Sequence, residues 1–248
     1  MTTSELPKII ILYGPPAAGK GTQANLLTTR LPDYYHLDFG TELRKFVLDS
    51  LGNYTDQEET IQNPNIDPVI LETARRIKSD MKQSLPVQTA DLRFVIEKTI
   101  NDCVNEGKGM IIEGPGRLIE EAQWLSGFLG SKGVSVAIFH LYIALDEVLK
   151  RATTRYYLAS SKKPYVSLED AQQNAQGDEK PYRRAEDEDV EGTKQRYRLL
   201  YSDNFAKIIS IYQLQAKSLV FTVDARETID EVSDTISAYF EKFYDRAI

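Results

Sequence analysis

The chain predicts an α/β protein, a five-stranded parallel sheet with helices on both faces. Three observations carry this expectation. Apolar runs at 9–13, 34–37, 110–112, 134–143 and 219–223 alternate with segments of helical apolar spacing. Such alternation implies repeated βαβ units, whose right-handed crossovers set successive strands in parallel. The run 134–143 is nearly continuous apolar sequence, as a strand covered on both faces requires. Finally, the first run leads at once into Gly14-Pro15-Pro16-Ala17-Ala18-Gly19-Lys20-Gly21-Thr22, a glycine-rich loop that opens a helix.

That loop carries the first chemical signal. Its backbone N–H groups, unused by regular structure, point inward and cradle phosphate oxygens, with the positive end of a helix dipole behind them. Lys20 supplies a mobile charge at the outer phosphates, and Thr22 a hydroxyl in reach of a phosphate or its Mg²⁺. A buried strand, then this loop, then a helix with Ala24, Leu26 and Leu27 is the context a P-loop needs.

The remaining elements follow in order. Residues 34–37 sit between Pro32-Asp33 and Asp38-Phe39-Gly40 and read as a second strand ending in a loop. Leu43, Phe46, Val47 and Leu48 then keep helical spacing. Residues 51–68 turn polar, a surface insertion, before Val69, Ile70, Ala74 and Ile77 suggest another helix. Leu92, Val95, Ile96, Thr99, Ile100, Cys103 and Val104 form the cleanest amphipathic helix. The third strand runs straight into Glu113-Gly114-Pro115-Gly116-Arg117, and Ile119, Ala122, Leu125 and Leu129 mark the helix beyond it. Residues 147–157 read as helix, 158–192 as mostly polar chain, and 197–214 and 229–240 as two further helices. Trp124 is expected in the core. Because ligands of parallel sheets bind at the carboxyl ends of strands, three segments should converge on one rim: the glycine loop, 40–44 and 113–117.

Composition narrows the class. Of 248 residues, 42% are hydrophobic and 27% charged, enough for a substantial core, and one large domain with insertions suits that length. A formal net charge of −7 argues against a constitutive nucleic-acid or anionic-membrane binder. A single cysteine, Cys103, excludes internal disulfides and a cysteine-based zinc site. No signal-peptide pattern or bilayer-length apolar run is present, so a cytoplasmic protein is expected.

The quoted motifs resemble those of the adenylate kinase family of nucleoside monophosphate kinases. The family loop resembles Gly-Pro-Pro-Gly-Ala-Gly-Lys-Gly-Thr-Gln-Ala, and Gly14 to Ala24 departs from it only at Ala17. The segment from His36 to Arg44 is similar to the family's stretch ending in Gly-Asp-x-Leu-Arg. Residues Glu113 to Arg117 stand against its Asp-Gly-Phe-Pro-Arg, and Arg151 and Arg155 match the Arg-x-x-x-Arg that opens a lid. Arg183, Arg184, Asp187, Arg196 and Tyr201 resemble the arginines, paired aspartates and tyrosine beyond the lid, with spacing off by about a residue.

The resemblance implies the P-loop nucleoside monophosphate kinase fold, with a core of 1–37, 88–150 and 198–248. It also implies an acceptor-binding insertion at about 38–87 and a lid at about 151–197. It implies a cytoplasmic, monomeric enzyme that transfers the γ-phosphoryl of ATP to a nucleoside monophosphate, AMP by family weight. Lys20, Arg117, Arg151, Arg155 and Arg196 would be catalytic. Gly14, Pro15, Ala17, Ala18, Gly19, Lys20, Gly21, Thr22, Arg151 and Arg155 would hold ATP. Phe39, Gly40, Arg44, Val87, Gly114, Arg117, Glu121, Arg184 and Arg196 would hold the acceptor. Thr22 and, through water, Glu113 would serve Mg²⁺, with no zinc. The implied partners are ATP and a monophosphate, with no nucleic acid and no membrane.

Such a site needs in-line positioning and fixed positive charge rather than a strong base, because the acceptor is already an anionic phosphate. Another P-loop small-molecule kinase would use the same first loop without needing the Arg44 and Arg117 pairing, and two further alternatives stay open. One is a kinase for GMP, UMP or CMP, since Glu121 stands where the family usually has glutamine, and an ionised carboxylate only accepts hydrogen bonds. The other is a nucleotide-binding regulatory module, kept open by departures at Ala17, Glu113 and Phe39.

Overall fold

The computed structural model describes residues 6–52, 59, 61, 65–83, 85, 87–114, 118–158, 160, 164–183, 185–215 and 218–244. β1 (Ile9–Tyr13), β2 (Tyr34–Asp38), β3 (Gly109–Glu113), β4 (Val136–Tyr142) and β7 (Leu219–Asp224) form one sheet. Its order is β2-β3-β1-β4-β7 and every pairing is parallel, so all five carboxyl ends reach the same rim. β1 lies at the centre, with β3 and β2 on one side and β4 and β7 on the other. The five expected strands are thus all present, in parallel.

Side chains of β1 alternate between two cores. Ile9, Ile11 and Tyr13 join one buried cluster, and Ile10 and Leu12 the other. Period-two alternation with an apolar residue at every position is what a doubly covered strand demands. The first cluster gathers α2 (Phe39–Leu51), α3 (Pro68–Lys82), α4 (Thr89–Asn105), α5 (Ile119–Ser131) and α10 (Phe205–Gln215). The second gathers α1 (Lys20–Arg30), α6 (Leu145–Thr154) and α11 (Ile229–Tyr244). Trp124 packs against the first cluster, and its indole N–H donates to Glu97 Oε1 at 2.6 Å. Cys103 is buried and free.

Local chemistry sets several ends. Asp67 accepts from the Val69 N–H and Pro68 occupies the first turn of α3, an N-terminus with its cap and its pre-set φ. Asp38 caps α2 by accepting from the Gly40 and Thr41 amides, both at 3.2 Å, and from the Thr41 hydroxyl at 2.6 Å.

The region after β4 corrects the sequence expectation. The helix expected over 147–157 is α6, which ends at Thr154. Tyr156–Tyr157 is instead a short strand, β5, paired antiparallel with β6 (Pro164–Tyr165). Tyr157 also bridges to Tyr182, with the rings 5.9 Å apart. The pairing partners lie outside the local window that helical periodicity reads. Further on, α7 (Leu168–Asn174), α8 (Ala185–Glu188) and α9 (Val190–Tyr197) fill what reads as polar chain. The single helix expected over 197–214 is divided. A π-turn at Arg198–Ser202 separates α9 from α10. Among the described residues no helix is long and apolar enough to cross a membrane.

Candidate active site

The glycine-rich loop bends from β1 into α1 through an unusual set of backbone angles. Gly14 has φ 155° and lies against β4: a β-carbon there would stand 2.5 Å from the Leu141 carbonyl oxygen. Gly19 has φ 83° and caps α1. Ala17, with φ 62°, is the only non-glycine residue of positive φ among those described. The loop residues named from the sequence, Gly14, Pro15, Ala17, Ala18, Gly19, Lys20, Gly21 and Thr22, therefore form one continuous cradle at the N-terminus of α1. Lys20 folds back over it, its ammonium donating to the carbonyl oxygens of Gly14 at 3.0 Å and Pro15 at 2.7 Å.

Neighbouring strand ends bring the other groups in. Glu113 closes β3, in register with Leu12 on one side and Asp38 on the other. Its carboxylate lies against Gly21, where a β-carbon would meet the two oxygens at 3.2 and 3.3 Å. His36 Nε2 stands 3.3 Å from the same carboxylate, a contact that the sequence does not reveal because the partner lies on another strand. Asp38, capping α2, draws Arg44 towards the rim. The Arg44 Nη2 donates to Thr41 Oγ1 at 3.4 Å and lies 3.9 Å from Asp38 Oδ2, while half the side chain stays exposed. Gly40 opens the same turn, and Phe39 is buried in the core.

Arg151, on the last turn of α6, reaches the cradle directly. It donates to the carbonyl oxygens of Ala17 at 3.4 Å and Ala225 at 2.7 Å, and its Nε to Glu147 at 3.3 Å. Arg155 is held elsewhere. Both arms of its guanidinium donate to Asp187, the Nε at 2.6 Å, and Asp187 is only 1% exposed. Arg196, on α9, donates to the hydroxyl of buried Thr193 at 3.0 Å. Glu121 is 7% exposed on the first turn of α5. It faces the side of the core that holds Tyr212, whose phenol is pushed well above its usual range by burial and, secondarily, by that carboxylate. Val87 packs on the first core cluster and Gly114 turns the chain after β3. Arg117 and Arg184, both named from the sequence, lie outside the described residues.

A P-loop at the end of the central strand, a carboxylate on the neighbouring strand and arginines approaching from two sides define the nucleoside monophosphate kinase class of fold. Similarity to known relatives agrees. No family model matches the chain. An adenylate kinase of Kosmotoga olearia is 28% identical over 233 residues, 92% of this chain and 96% of that protein. One of Chelativorans is 29% identical over 240 residues, 94% and 98% of the two chains. One of Brucella melitensis is 30% identical over 166 residues, 65% of this chain and 72% of that protein. The chain belongs to the adenylate kinase family. It is a nucleotide-binding phosphotransferase, a nucleoside monophosphate kinase.

Proposed function

We propose that the enzyme transfers the γ-phosphoryl group of ATP to AMP and yields two ADP. The γ-phosphorus exchanges its bridging bond to the β-phosphate for one to an oxygen of the AMP phosphate, so no proton need be abstracted. The observation that carries this reading is the convergence on one rim of the phosphate cradle of 14–22, the Arg44 turn and Glu113. One cradle serves a donor triphosphate, and an arginine on the next segment serves an acceptor.

In this reading Lys20 exchanges its two carbonyl partners for the outer phosphates. Arg151, already against Ala17, follows the transferring group. Arg44 and Arg117 grip the acceptor phosphate bidentately, as guanidinium forks do. Arg155, Arg184 and Arg196 come from segment 151–197, which we take as a lid that excludes water. Segment 38–87 is the acceptor arm, with Gly40, Val87, Gly114 and Glu121 about the nucleoside.

The donor set suits a divalent ion that arrives with the nucleotide. Glu113 lies against Gly21, one residue before Thr22, while among the described residues no three His, Cys, Asp or Glu side chains gather into a metal cage. Thr22 and, through water, Glu113 would hold Mg²⁺, which when bound would supply charge neutralisation at the phosphate oxygens.

A carboxyl side chain at position 121, where the family usually has glutamine, favours a second reading. An ionised carboxylate there suits a base with adjacent N–H donors, as in guanine. A coupled assay of diphosphate formation from ATP with AMP, GMP, UMP, CMP and TMP at equal concentration tests both. AMP is expected to dominate, and a GMP preference replaces the first reading with the second. Lys20→Ala is the control, with at least a hundredfold loss expected, roughly 3 kcal/mol for one lost transition-state donor; a loss below tenfold removes the role given to Lys20.

A further inference from the structure

His140 is 3% exposed and lies on β4 directly beside Tyr13 of β1, the residue before the phosphate cradle. Its ring stacks on Phe205 with centroids 4.1 Å apart, and its Nε2 is 2.8 Å from the Tyr201 hydroxyl. The Nδ1 atom is buried with no hydrogen-bond partner. Burying an imidazole with one nitrogen unanswered is unfavourable, and an apolar ring would fill the same space without that penalty. The hydrogen bond to Tyr201 is what an apolar ring would lack.

Tyr201 sits inside the π-turn of Arg198–Ser202. A π-turn carries one residue more than an α-turn and often marks a functional position. Here it lies between α9, which bears Arg196, and α10, which packs on the core. A second tie stands on the α9 side of the turn. The Tyr197 hydroxyl donates to the Ile143 carbonyl at 3.3 Å, and its ring meets that of Tyr201 edge-on at 5.2 Å. A widened turn has looser backbone geometry than the helices beside it, so such side-chain ties set its rotation.

We propose that His140 is a positioning residue of the phosphoryl transfer, fixing through Tyr201 the setting of the π-turn and hence the direction in which Arg196 leaves α9. The inference rests on Arg196 acting at the transferred phosphate. Desolvation holds the imidazole's pKa down at about 4, so at neutral pH the bond is that of an uncharged ring.

Steady-state kinetics with thermal unfolding alongside test this on four variants. Arg196→Ala is expected to lose at least a hundredfold in kcat. His140→Phe and Tyr201→Phe should each lose about tenfold in kcat, with KM for ATP within twofold of the parent. The pair together should lose no more than either alone. His140→Gln, which keeps a hydrogen-bonding group, should recover most of the loss. Kcat within twofold of the parent for both His140→Phe and Tyr201→Phe, beside an impaired Arg196→Ala, overturns the role of His140 and leaves that of Arg196. An active Arg196→Ala removes both. A His140→Phe loss that glutamine does not restore means packing alone, and overturns the inference. Should His140→Phe fail to fold, Tyr201→Phe, which deletes a single oxygen, decides by the same limits.

Discussion

Ala17 holds a left-handed backbone angle that a β-carbon disfavours by about 1 kcal/mol. Its methyl group packs on the second core cluster and its carbonyl receives Arg151, so the strain stands beside contacts that hold the loop in place. His140 shows the same kind of tension, in a polar group. Its folded pKa of about 4 lies below the ordinary 6.5, so the unfolded chain binds that proton more readily. The sign follows: its contribution to stability is fully present above pH 6.5 and is lost as pH falls from there to about 4. Each unit across that window is worth at most about 1.4 kcal/mol. Between pH 7 and pH 5, urea unfolding of the parent should therefore lose roughly 2 kcal/mol more than that of His140→Gln. Equal losses would remove the assignment of a neutral buried ring.

Among elements, the short helix α8 is tied to the end of α6 through the pair of Arg155 with Asp187. Removing one partner of a buried ion pair strands the other charge and costs about 3 kcal/mol or more. Arg155→Ala should lower stability by about that much, read as a fall in melting temperature, with no added ligand needed to see it. A change below about 1 kcal/mol would place the pair at the surface in energetic terms. The same pair sets a condition on the proposed lid. For Arg155 to reach a phosphate it must leave Asp187, so nucleotide binding there is an exchange of one anion for another. Elements of this region were also the hardest to read from the sequence. The apolar spacing of 197–214 is continuous through the π-turn, since one extra residue displaces the pattern by less than its own width. Tyr156 falls four residues after Ala152 and eight after Val148, so it continues the spacing of the buried face of α6, while the pairing partners of Tyr156 and Tyr157, which are Pro164, Tyr165 and Tyr182, lie beyond any helical window.

At the scale of the whole molecule, the sheet was legible because it is buried on both sides. Strands β1 and β4 write their burial as apolar runs, interrupted in β4 only by His140, and the carboxyl ends of β1, β2, β3 and β7 are punctuated by glycine or a charged residue. The P-loop was legible for a different reason, since its backbone geometry restricts residue choice over a contiguous stretch. What joins strand to strand was not: His36 beside Glu113, Tyr201 beside His140 and Arg151 on the Ala225 carbonyl are contacts between distant segments, and no local pattern encodes them. Arg44 was legible through its motif, whereas its approach to the Asp38 cap is a feature of the fold.

Gly21 and Glu113 show what such a contact means for the history open to this chain. They are far apart in sequence, but the carboxylate occupies the room that any side chain at position 21 would need. A larger residue at 21 forces the carboxylate to give way by a few tenths of an ångström. A shorter acid at 113 frees that room. The two positions are therefore epistatic, and Gly21→Ala should be tolerated better once Glu113→Asp has occurred. In a double-mutant cycle on kcat/KM, the paired variant should exceed the product of the single effects by about fivefold, near 1 kcal/mol of coupling. Independent effects would show that the two sites can drift separately.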